Sequence, residues 1–406
     1  MLTTSTTKSD TIALDAQHVL QVYRRAPVVF ERGEGSALFT GAGDRYLDLI
    51  SGVGVASLGH AHPALARALA EQASTLIHTS NLFHHPLQSE LARRLSDLSG
   101  LPRAFFCNSG AEAVEACLKF SRRFWHTQGT PRTKFVAFHH SFHGRTMGAL
   151  SVTWDDHYRA PFEPLIPGVT FVDPSDASAI AAAVTPDTAA VIVEPIQGEG
   201  GVRPISRRAA DAIAAACRRT GALLIADEVQ CGLGRTGRMF YAGALGLEPD
   251  LMALGKALGA GVPIGAAMFT DRVAAAAKPG DHGSTYGGNL LACRAALVFL
   301  EELTTNGLVQ QVARTGAYLE RGLRAIASRQ PAITDVRGAG VMWGLDIDRP
   351  AAAIVDAARD RHLLINRTSD TVVRLLPPYV ITEREIDEAL PLLEAAIATV
   401  VEAPRS

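Results

Sequence analysis

The chain has 406 residues, of which 47% are hydrophobic and 20% are charged, a globular composition long enough for about two to three domains. A formal net charge of -2 and a pI near 6.7 disfavour binding to nucleic acid or an anionic membrane, so small molecules are the expected partners. The five cysteines include no Cys-x-x-Cys pair, and no apolar run is long enough to span a membrane, so we expect a reducing, cytoplasmic location.

The first part of the chain contains two short apolar segments. Residues 1 to about 12 are polar, lack the apolar core of a secretion signal and are expected to form a mobile tail. Ala37–Phe39 and Tyr46–Ile50 have the composition of short strands. We expect them to complete a smaller α+β domain that is formed mainly by the C-terminal part of the chain.

The middle of the chain alternates short apolar runs with helical patterns. Strands separated in this way by helices predict an α/β fold with a mostly parallel central sheet and helices on both faces. A helix from Ala209 to about Thr220 should end at Gly221, because glycine readily adopts the left-handed conformation of a helix C-cap. The apolar runs are Arg103–Cys107, Phe135–Phe138, Val169–Val172, Ala189–Val193 and Ala222–Ala226.

Another helix is predicted directly after the first of these strands. Ser109-Gly-Ala-Glu112 has the spacing of a capping box, and largely apolar residues recur at helical intervals from Val114 to Trp125. Free backbone N–H groups at this strand-to-helix turn, together with the positive end of the helix dipole, can bind a phosphate. Serine and glycine are also ordinary helix-capping residues, so this segment alone does not establish a phosphate site.

Histidines occur in two local groups, which raises the question of a metal site. No acidic residue stands beside them with the spacing of a recognised metal motif, so no metal ion is predicted. Phe142 and Arg145 are more informative, because a neighbouring aromatic face and guanidinium suit a flat ring and a carboxylate. Buried packing is the alternative for Phe142. The histidine groups are His60 with His62, and His139 with His140 and His143.

Asp227 and Glu228 follow the apolar run that begins at Ala222, at the sheet edge where open α/β folds bind ligands. Shortly afterwards, the segment from Gly232 to Gly237 matches the glycine fingerprint of dinucleotide-binding proteins, so a nicotinamide-binding protein is an alternative. Five residues separate these glycines from the strand, and no helix with a clear apolar period follows them. Both features disfavour the nicotinamide alternative.

Lys256 is the most informative single residue. The chain has five lysines and thirty-four arginines, yet Lys256 is the only charged residue between Asp250 and Asp271. A lysine shielded from water has a lowered pKa and can act as a neutral amine nucleophile, whereas arginine stays protonated. This pattern indicates Schiff-base chemistry with a carbonyl compound, with a helix-capping surface lysine as the alternative.

The pattern changes near the end of the middle region to long Ala/Leu/Arg helices and two short strands. Arg374 lies within one of these apolar strands, where an unpaired guanidinium is costly, so it needs an anion that is either Glu199 or a substrate. We expect an N-terminal segment at 1–60 that joins the small domain, a large cofactor-binding domain at 61–295 and a C-terminal small domain at 296–406.

Taken in order, the motifs resemble those of the class III (ornithine-type) aminotransferases, which use pyridoxal 5'-phosphate (PLP), and most closely the acetylornithine aminotransferases of arginine biosynthesis. The ordered set covers nearly the whole chain, and it assigns the apparent dinucleotide fingerprint to an aminotransferase loop. The resemblance implies a fold-type-I PLP-dependent transferase. The motifs are Leu58–Pro63, His78–Asn81, Asn108–Ala113, Phe142–Thr146, Glu194–Gly201, Asp227–Gly237, Pro249–Met252, Gly255–Lys256 and Gly283–Asn289.

The resemblance implies roles in cofactor binding. Lys256 would hold PLP covalently and move a proton between substrate and cofactor, and Asp227 would keep the pyridine nitrogen protonated. Gln230 would bind the phenolic oxygen of the ring, and Phe142 would stack on the ring's face. A phosphate contact from a neighbouring subunit would make a homodimer necessary for activity. The implied phosphate ligands are Ser109, Gly110, Ala111 and, from that neighbouring subunit, Thr285.

The resemblance also implies how one pocket accepts two substrates. The expected reaction is transamination of N2-acetylornithine with 2-oxoglutarate, giving N-acetylglutamate 5-semialdehyde and glutamate. Arg145 would bind the carboxylate distal to the reacting amine in both substrates, and Arg374 would bind the α-carboxylate of glutamate. Glu199 would mask Arg374 while acylated ornithine is bound.

Two positions distinguish this chain from the family pattern or from its branches. Val114 replaces a usual asparagine and should affect packing more than catalysis. Val53 appears where enzymes acting on free ornithine carry a tyrosine, which favours acylated ornithine; enzymes for succinylornithine, γ-aminobutyrate or lysine also lack that tyrosine. The alternatives are succinylornithine, ornithine or another ω-amino acid as donor, a PLP-dependent aminomutase, and a nicotinamide-nucleotide-binding protein.

Overall fold

The computed structural model describes residues 7–402, in which helices alternate with short strands. The helices of this part are α1 Lys8–His18, α2 Ser51–Gly54, α3 Pro63–Thr75, α4 Pro86–Ser99, α5 Gly110–Thr127, α6 Met147–Ser151, α7 Asp156–Arg159, α8 Ala177–Ala183, α9 Arg207–Thr220, α10 Asp271–Ala274, α11 Leu290–Thr304, α12 Leu308–Arg329, α13 Ala351–Arg359 and α14 Glu383–Glu402. Short 3-10 turns occur at Ala160–Phe162, Ala242–Leu245 and Lys256–Gly259.

The strands of the same residues are mostly four to six residues long. They are β1 Phe30–Glu34, β2 Ala37–Thr40, β3 Arg45–Asp48, β4 Arg103–Cys107, β5 Lys134–Phe138, β6 Val169–Val172, β7 Thr188–Val193, β8 Ile196–Gln197, β9 Arg203–Pro204, β10 Leu223–Asp227, β11 Leu251–Leu254, β12 Gly265–Phe269, β13 Ile333–Ala339, β14 Met342–Ile347, β15 Leu363–Leu364, β16 Asn366–Arg367 and β17 Val372–Leu375.

Seven of the described strands form the central sheet, in the order β4-β12-β11-β10-β7-β5-β6. Strands β11, β10, β7, β5 and β6 are parallel, and β12 runs antiparallel between β4 and β11. The predicted mostly parallel sheet is therefore confirmed. Strands β11 and β12 were not predicted, because leucine, methionine, alanine and glycine dominate them and give little of the β-branched or aromatic signal of a strand.

Alternate residues of the central strands face opposite sides of the sheet. Ile225 packs in one hydrophobic cluster with residues of α5, whereas Leu224 packs in the other with residues of α9. This alternation places one helical layer on each face, as the period of two in a strand requires. The sheet is buried on both sides, and its accessible chemistry lies at its edges.

Both helices predicted in detail are confirmed. The Oγ of Ser109 accepts the N–H of Glu112 at 3.2 Å at the start of α5, although the Glu112 carboxylate accepts the N–H of Asn108 and does not reach back to Ser109 itself. Helix α9 ends at Gly221, whose φ of 78° is the left-handed conformation expected of a glycine C-cap.

The expected mobile tail is wrong for residues 8–12, which form the first turns of α1. Thr7 and Asp10 form a capping box at its start, a signal that the polar composition of this segment obscures. Residues 1 to 6 of the expected tail lie outside the described residues. No helix among residues 7–402 is both long and apolar enough to cross a membrane.

The N-terminal strands adjoin the C-terminal part of the chain. Strands β1, β2 and β3 form an antiparallel sheet, and β15 pairs in parallel with β3 through Leu363 and Leu47. A further sheet has the order β13-β14-β17-β16. The expected domain boundary between 295 and 296 falls inside α11, and the division into domains stays a prediction.

Candidate active site

The residues with expected chemical roles gather at one edge of the central sheet. Strands β4 and β11 both run antiparallel to β12, so they are parallel to each other and end at the same edge as β5, β7 and β10. Open α/β sheets bind ligands at the carboxyl ends of their parallel strands. The residues at or just after these ends are Ser109, Phe142, Arg145, Glu194, Asp227 and Lys256.

Asp227, the last residue of β10, is a buried carboxylate with a histidine partner. Its Oδ2 lies 2.7 Å from Nδ1 of His143, and its Oδ1 accepts the N–H of Val229 at 3.1 Å. The N–H of His143 donates to Oγ1 of Thr153 at 2.9 Å, which orients the histidine. The residue types alone did not predict this pair, because 84 positions separate the two side chains.

The histidine groups considered as metal ligands have other partners. His139 stacks on Trp154 with ring centroids 4.1 Å apart, and Nε2 of His60 lies 2.8 Å from Oδ2 of Asp48. Among residues 7–402, no group of three or more His, Cys, Asp or Glu side chains is arranged to hold a metal ion.

Lys256 follows β11 in an unfavourable backbone conformation. Its φ of 39° lies in the left-handed region that non-glycine residues rarely adopt, and such strain is typical of functional sites. Burial lowers the pKa of Lys256, although the nearby carboxylates of Glu199 and Asp227 act in the opposite direction. A lowered pKa increases the fraction of neutral amine, which is the nucleophilic form.

The turn at Ser109–Ala111 is packed closely against the segment that leads to Lys256. A Cβ atom at Gly255 would lie 3.0 Å from the backbone nitrogen of Gly110, and one at Gly110 would lie 2.5 Å from the side chain of Val229. These glycines therefore allow the two backbones to approach. The first N–H groups of α5 have no acceptor within the helix, which makes this end of the helix positive. Because Gly110 touches Gly255, this positive end lies beside the segment that leads to Lys256.

Arg374 reaches the site from β17, in a different sheet. Its side chain is only 1% exposed, and its Nη1 lies 2.6 Å from Oε1 of Glu199 and 3.3 Å from Oε1 of Gln230. Its Nε donates to Oδ1 of Asn366 at 3.3 Å. Burial alone would raise the pKa of Glu199, but attraction to Arg374 and Lys256 outweighs burial and lowers it. Of the two anions expected for Arg374, the fold supplies Glu199.

Arg145 differs from Arg374 in being exposed. The carbon of its guanidinium group lies 3.5 Å from the ring centroid of Tyr158 and 5.5 Å from that of Phe142. Among residues 7–402, it has no salt-bridge partner. Tyr158 had no distinguishing signal in the sequence, yet it supports the arginine that is expected to bind a carboxylate.

The Gly232–Gly237 segment is a closed loop and not an open phosphate site. Several of its N–H groups bond to carbonyls of the same region, as in the bonds from Gly232 to Glu228 and from Gly237 to Gly234. Arg235 is fully buried, donates to the carbonyl oxygen of Gly54 at 3.3 Å and stacks over a tyrosine ring. The loop therefore joins distant parts of the chain, which contradicts the nicotinamide-binding alternative.

Thr285 is exposed on the loop that precedes α11. Its neighbour Ser284 accepts a hydrogen bond from Nδ2 of Asn108 at 3.2 Å, so this loop lies beside the turn at the start of α5. Within the described chain, no hydrogen bond joins Thr285 itself to Ser109, Gly110 or Ala111.

These residues fit a cofactor with an aldehyde, a cationic aromatic ring and a phosphate. Lys256 supplies the amine of lowered pKa, Asp227 supplies a buried carboxylate, and the glycine-lined turn before α5 supplies free N–H groups. The fold and this edge therefore have the arrangement of a PLP-dependent transferase.

Comparison with known proteins defines the family. A family model described as aminotransferase class-III matches residues 20–397. Acetylornithine aminotransferase from Archaeoglobus fulgidus is 47% identical over 384 residues, covering 95% of this chain and 99% of that protein. The chain therefore belongs to the class-III aminotransferases, and the expected PLP-dependent aminotransferase is confirmed.

Solved structures give the same result. Ornithine aminotransferase from Toxoplasma gondii has a TM-score of 0.93 and 35% sequence identity, covering 98% of this chain and 95% of that chain. N-acetylornithine aminotransferase from Stenotrophomonas maltophilia has a TM-score of 0.82 and 36% identity, covering 96% and 98%. The expected fold-type-I architecture is thereby confirmed.

Proposed function

We infer that this enzyme transfers the side-chain amino group of N2-acetylornithine to 2-oxoglutarate, giving N-acetylglutamate 5-semialdehyde and glutamate in arginine biosynthesis. The observation that carries this inference is the contrast between the two arginines expected to bind carboxylates: Arg145 is exposed, whereas Arg374 is buried against Glu199. Acetylornithine presents one carboxylate, far from the reacting amine. Glutamate presents a second carboxylate beside its amine, so one open arginine and one that can be unmasked match this substrate pair.

The residues at the sheet edge support distinct roles in the transfer. When bound, PLP supplies an electron sink for the charge left when the substrate carbon loses its proton. Lys256 would hold the cofactor and then carry the proton, and its lowered pKa favours the neutral amine that accepts one. Asp227, oriented by His143, would keep the ring nitrogen protonated. Phe142 would cover the ring, and Gln230 would bind its phenolic oxygen.

Arg145 and Arg374 orient the substrates in this proposal. Arg145 binds the distal carboxylate of either substrate, and the Tyr158 ring beneath it restricts the guanidinium to one side. Arg374 binds the α-carboxylate of glutamate after Glu199 has moved aside. While Glu199 remains paired, the charge of Arg374 is neutralised, and a substrate without a carboxylate beside its amine is accommodated.

The start of α5 would hold the cofactor phosphate together with a second copy of the chain. Ser109, Gly110 and Ala111 would provide the first part of this site, and Thr285 of a neighbouring subunit would provide the rest. A group of exposed apolar side chains around Thr285 supports a homodimer, because such surfaces commonly mark interfaces. Asn81 links the two segments that carry them by donating to the carbonyl oxygen of Ser284 at 3.0 Å. The exposed side chains are Ile77, Leu82, Phe83 and Tyr286.

Val53 supports acylated over free ornithine. It lies on the α2 turn, and the adjacent Gly54 is close to the aliphatic stem of Lys256, since a Cβ atom there would lie 4.0 Å from Cδ of the lysine. A valine on this turn offers no hydroxyl to a second, unblocked amine. Succinylornithine carries the same kind of blocked amine and is the nearest alternative donor; the name of the Toxoplasma gondii neighbour makes free ornithine the next.

The cysteines support a reducing compartment, and we place the enzyme in the cytoplasm. All five are buried and unpaired, and burial raises the pKa of Cys107, Cys217 and Cys293 to about 12. Thiols in this state have no requirement for an oxidising environment.

An amino-donor panel tests the proposed reaction. Acetylornithine, succinylornithine, ornithine, γ-aminobutyrate and lysine are each supplied with 2-oxoglutarate and PLP, and glutamate formation is measured. We expect the highest kcat/KM for acetylornithine, with Lys256→Ala as the inactive control. A higher kcat/KM for any other donor would replace the proposed substrate, and the absence of glutamate with every donor would contradict the transamination itself.

A further inference from the structure

We propose that Glu194 is a positioning residue that fixes the backbone on which Glu199 stands, so that unmasking Arg374 is a rotation of the Glu199 side chain and not an opening of its loop. This inference rests on the proposed function, because it concerns how Glu199 serves two substrates. It gives a role to a buried carboxylate that the proposed chemistry does not otherwise use.

Glu194 uses one carboxylate to join two loops, one that follows β5 and carries Phe142 and one that follows β7 and carries Glu199. It follows β7 directly and is buried. Its Oε1 accepts the N–H of Phe142 at 2.8 Å, and its Oε2 accepts the N–H of Gly198 at 3.0 Å. Phe142 is the ring expected to cover the cofactor, and Gly198 directly precedes Glu199. Glu194 thus links the backbone that carries Glu199 to the backbone that carries Phe142. We call the two hydrogen bonds of Glu194 to Phe142 and Gly198 the tie.

Further contacts hold the same two loops together. Nε2 of Gln197 donates to the carbonyl oxygen of His139 at 2.8 Å. On the other side of Glu199, a Cβ atom at Gly200 would lie only 2.2 Å from the carbonyl oxygen of His140, so these backbones are in direct contact. The backbone is therefore held on both sides of Glu199.

The turn that carries Glu199 is also closed on itself. The N–H groups of Gly201 and Val202 both point to the carbonyl oxygen of Gly198, at 3.4 and 3.3 Å. A Cβ atom at Gly198 would lie 1.9 Å from Oε1 of Gln230, which leaves the turn no room to shift toward that residue. The Glu199 side chain, by contrast, is 30% exposed and keeps space to rotate.

The tie depends on the charge of Glu194. An ionised carboxylate accepts both N–H groups, whereas a protonated one turns an O–H toward one of them. Burial raises the pKa of Glu194 to about 7; Asp227 acts in the same direction, and His143 opposes it. Glu194 also acts on Lys256, where its negative charge works to raise the pKa of the lysine. Both bonds are present above this pKa, and one is lost as the pH falls through it.

Glu194→Gln tests the tie, and Glu228→Gln is its matched control. Glutamine offers one acceptor oxygen, so it can satisfy only one of the N–H groups of Phe142 and Gly198. Glu228 is likewise buried at the same edge, with a pKa raised by burial to about 7, but it bonds to the N–H of Ala242 and to Cys231. Neither of these hydrogen-bond partners lies in the loops that carry Phe142 and Glu199, so its replacement controls for the loss of a buried carboxylate.

Hydrogen exchange followed by mass spectrometry reads the tie without cofactor or substrate. In cofactor-free protein, we expect Glu194→Gln to raise exchange about tenfold or more in peptides covering 139–146 and 196–202, the scale of one lost hydrogen bond to a charged group. Glu228→Gln should leave both peptides unchanged. In the wild type, after correction for intrinsic rates, protection of both should fall below about pH 7. If Glu194→Gln does not fold, the same pH series in Glu228→Gln separates the two carboxylates: the fall in protection should persist there, because Glu228 no longer titrates in that variant.

Single-turnover rates then connect the tie to Glu199. A loosened backbone weakens masking, so Glu194→Gln should slow the half-reaction with acetylornithine more than the one with glutamate. The role of Glu194 would be overturned if hydrogen exchange of the two peptides were unchanged both in Glu194→Gln and in the wild-type pH series. It would also be overturned if Glu194→Gln and Glu228→Gln changed the exchange of these peptides equally. Altered exchange in an enzyme that rejects acetylornithine would instead contradict the proposed substrate and leave the backbone tie intact.

Discussion

Replacing Glu199 with alanine separates a functional switch from a structural ion pair. The change removes the carboxylate that lies 2.6 Å from Arg374 and leaves the guanidinium free to attract any α-carboxylate. We expect reaction with glutamate to be preserved or improved. Reaction with acetylornithine should be impaired, because an unmasked, desolvated charge then faces a substrate that has no carboxylate to pair with it.

The structure sets the size of this effect. A hydrogen bond to a charged group contributes about 1.5–3 kcal/mol, and about 1.4 kcal/mol corresponds to a tenfold change in rate or affinity. Loss of one partner of a buried pair can cost about 3–5 kcal/mol, but Gln230 and Asn366 still accept bonds from Arg374, and Glu199 itself is 30% exposed. We therefore expect the ratio of the two half-reactions to shift by about 10- to 100-fold.

Absorbance changes of the cofactor in single turnovers measure each half-reaction by itself. Arg374→Ala is the complementary variant and should lose reaction with glutamate first. Arg145→Ala should weaken reaction with both substrates, because Arg145 is expected to bind a carboxylate that they share. If Glu199→Ala and Arg374→Ala each slowed the two half-reactions by equal factors, the pair would be structural and the switch would be refuted.

Lys256→Arg should abolish turnover although the charge is retained, since arginine cannot become a neutral amine. Borohydride reduction of the wild type should place the pyridoxyl group on Lys256, and a label on another lysine would contradict this role. Asp227→Asn should lower kcat by roughly 10²-fold with the cofactor still bound, and an unchanged rate at saturating PLP would remove Asp227 from the mechanism. Tyr158→Leu should raise KM for both substrates about two- to fivefold, whereas Tyr158→Phe keeps the ring beneath Arg145 and should not; equal KM values in the two variants would exclude the ring contact. Glu228→Gln should raise Tm near pH 8 but not near pH 5. Burial raises the folded-state pKa of Glu228 to about 7 from an ordinary 4.5, so the wild type loses about 3 kcal/mol of stability from this group as the pH rises through that range. An equal Tm shift at both pH values would show that the charge of Glu228 is not the cause.

Much of the fold was predictable because its signals are local. Apolar runs separated by capped helices indicated the parallel strands, and Gly221 marked a helix end through its own conformational freedom. Strands β11 and β12 escaped prediction because their residues have little strand preference and become strands through pairing with β4 and β10. Thr7 and Asp10 carried a local helix signal that the polar composition of the segment concealed.

The sequence by itself determined which side chains could not be ordinary. Lys256 was isolated among apolar residues, and Arg374 within an apolar strand required an anion. Only the tertiary structure decided which partner each group has: Glu199 for Arg374, His143 for Asp227, Tyr158 for Arg145, and backbone carbonyls for the buried Arg235. The spacing of residues along the chain specifies the chemistry that a position needs. The direction of a side chain and the distance to its partner follow from how sheets and loops from distant segments pack, which no local pattern contains.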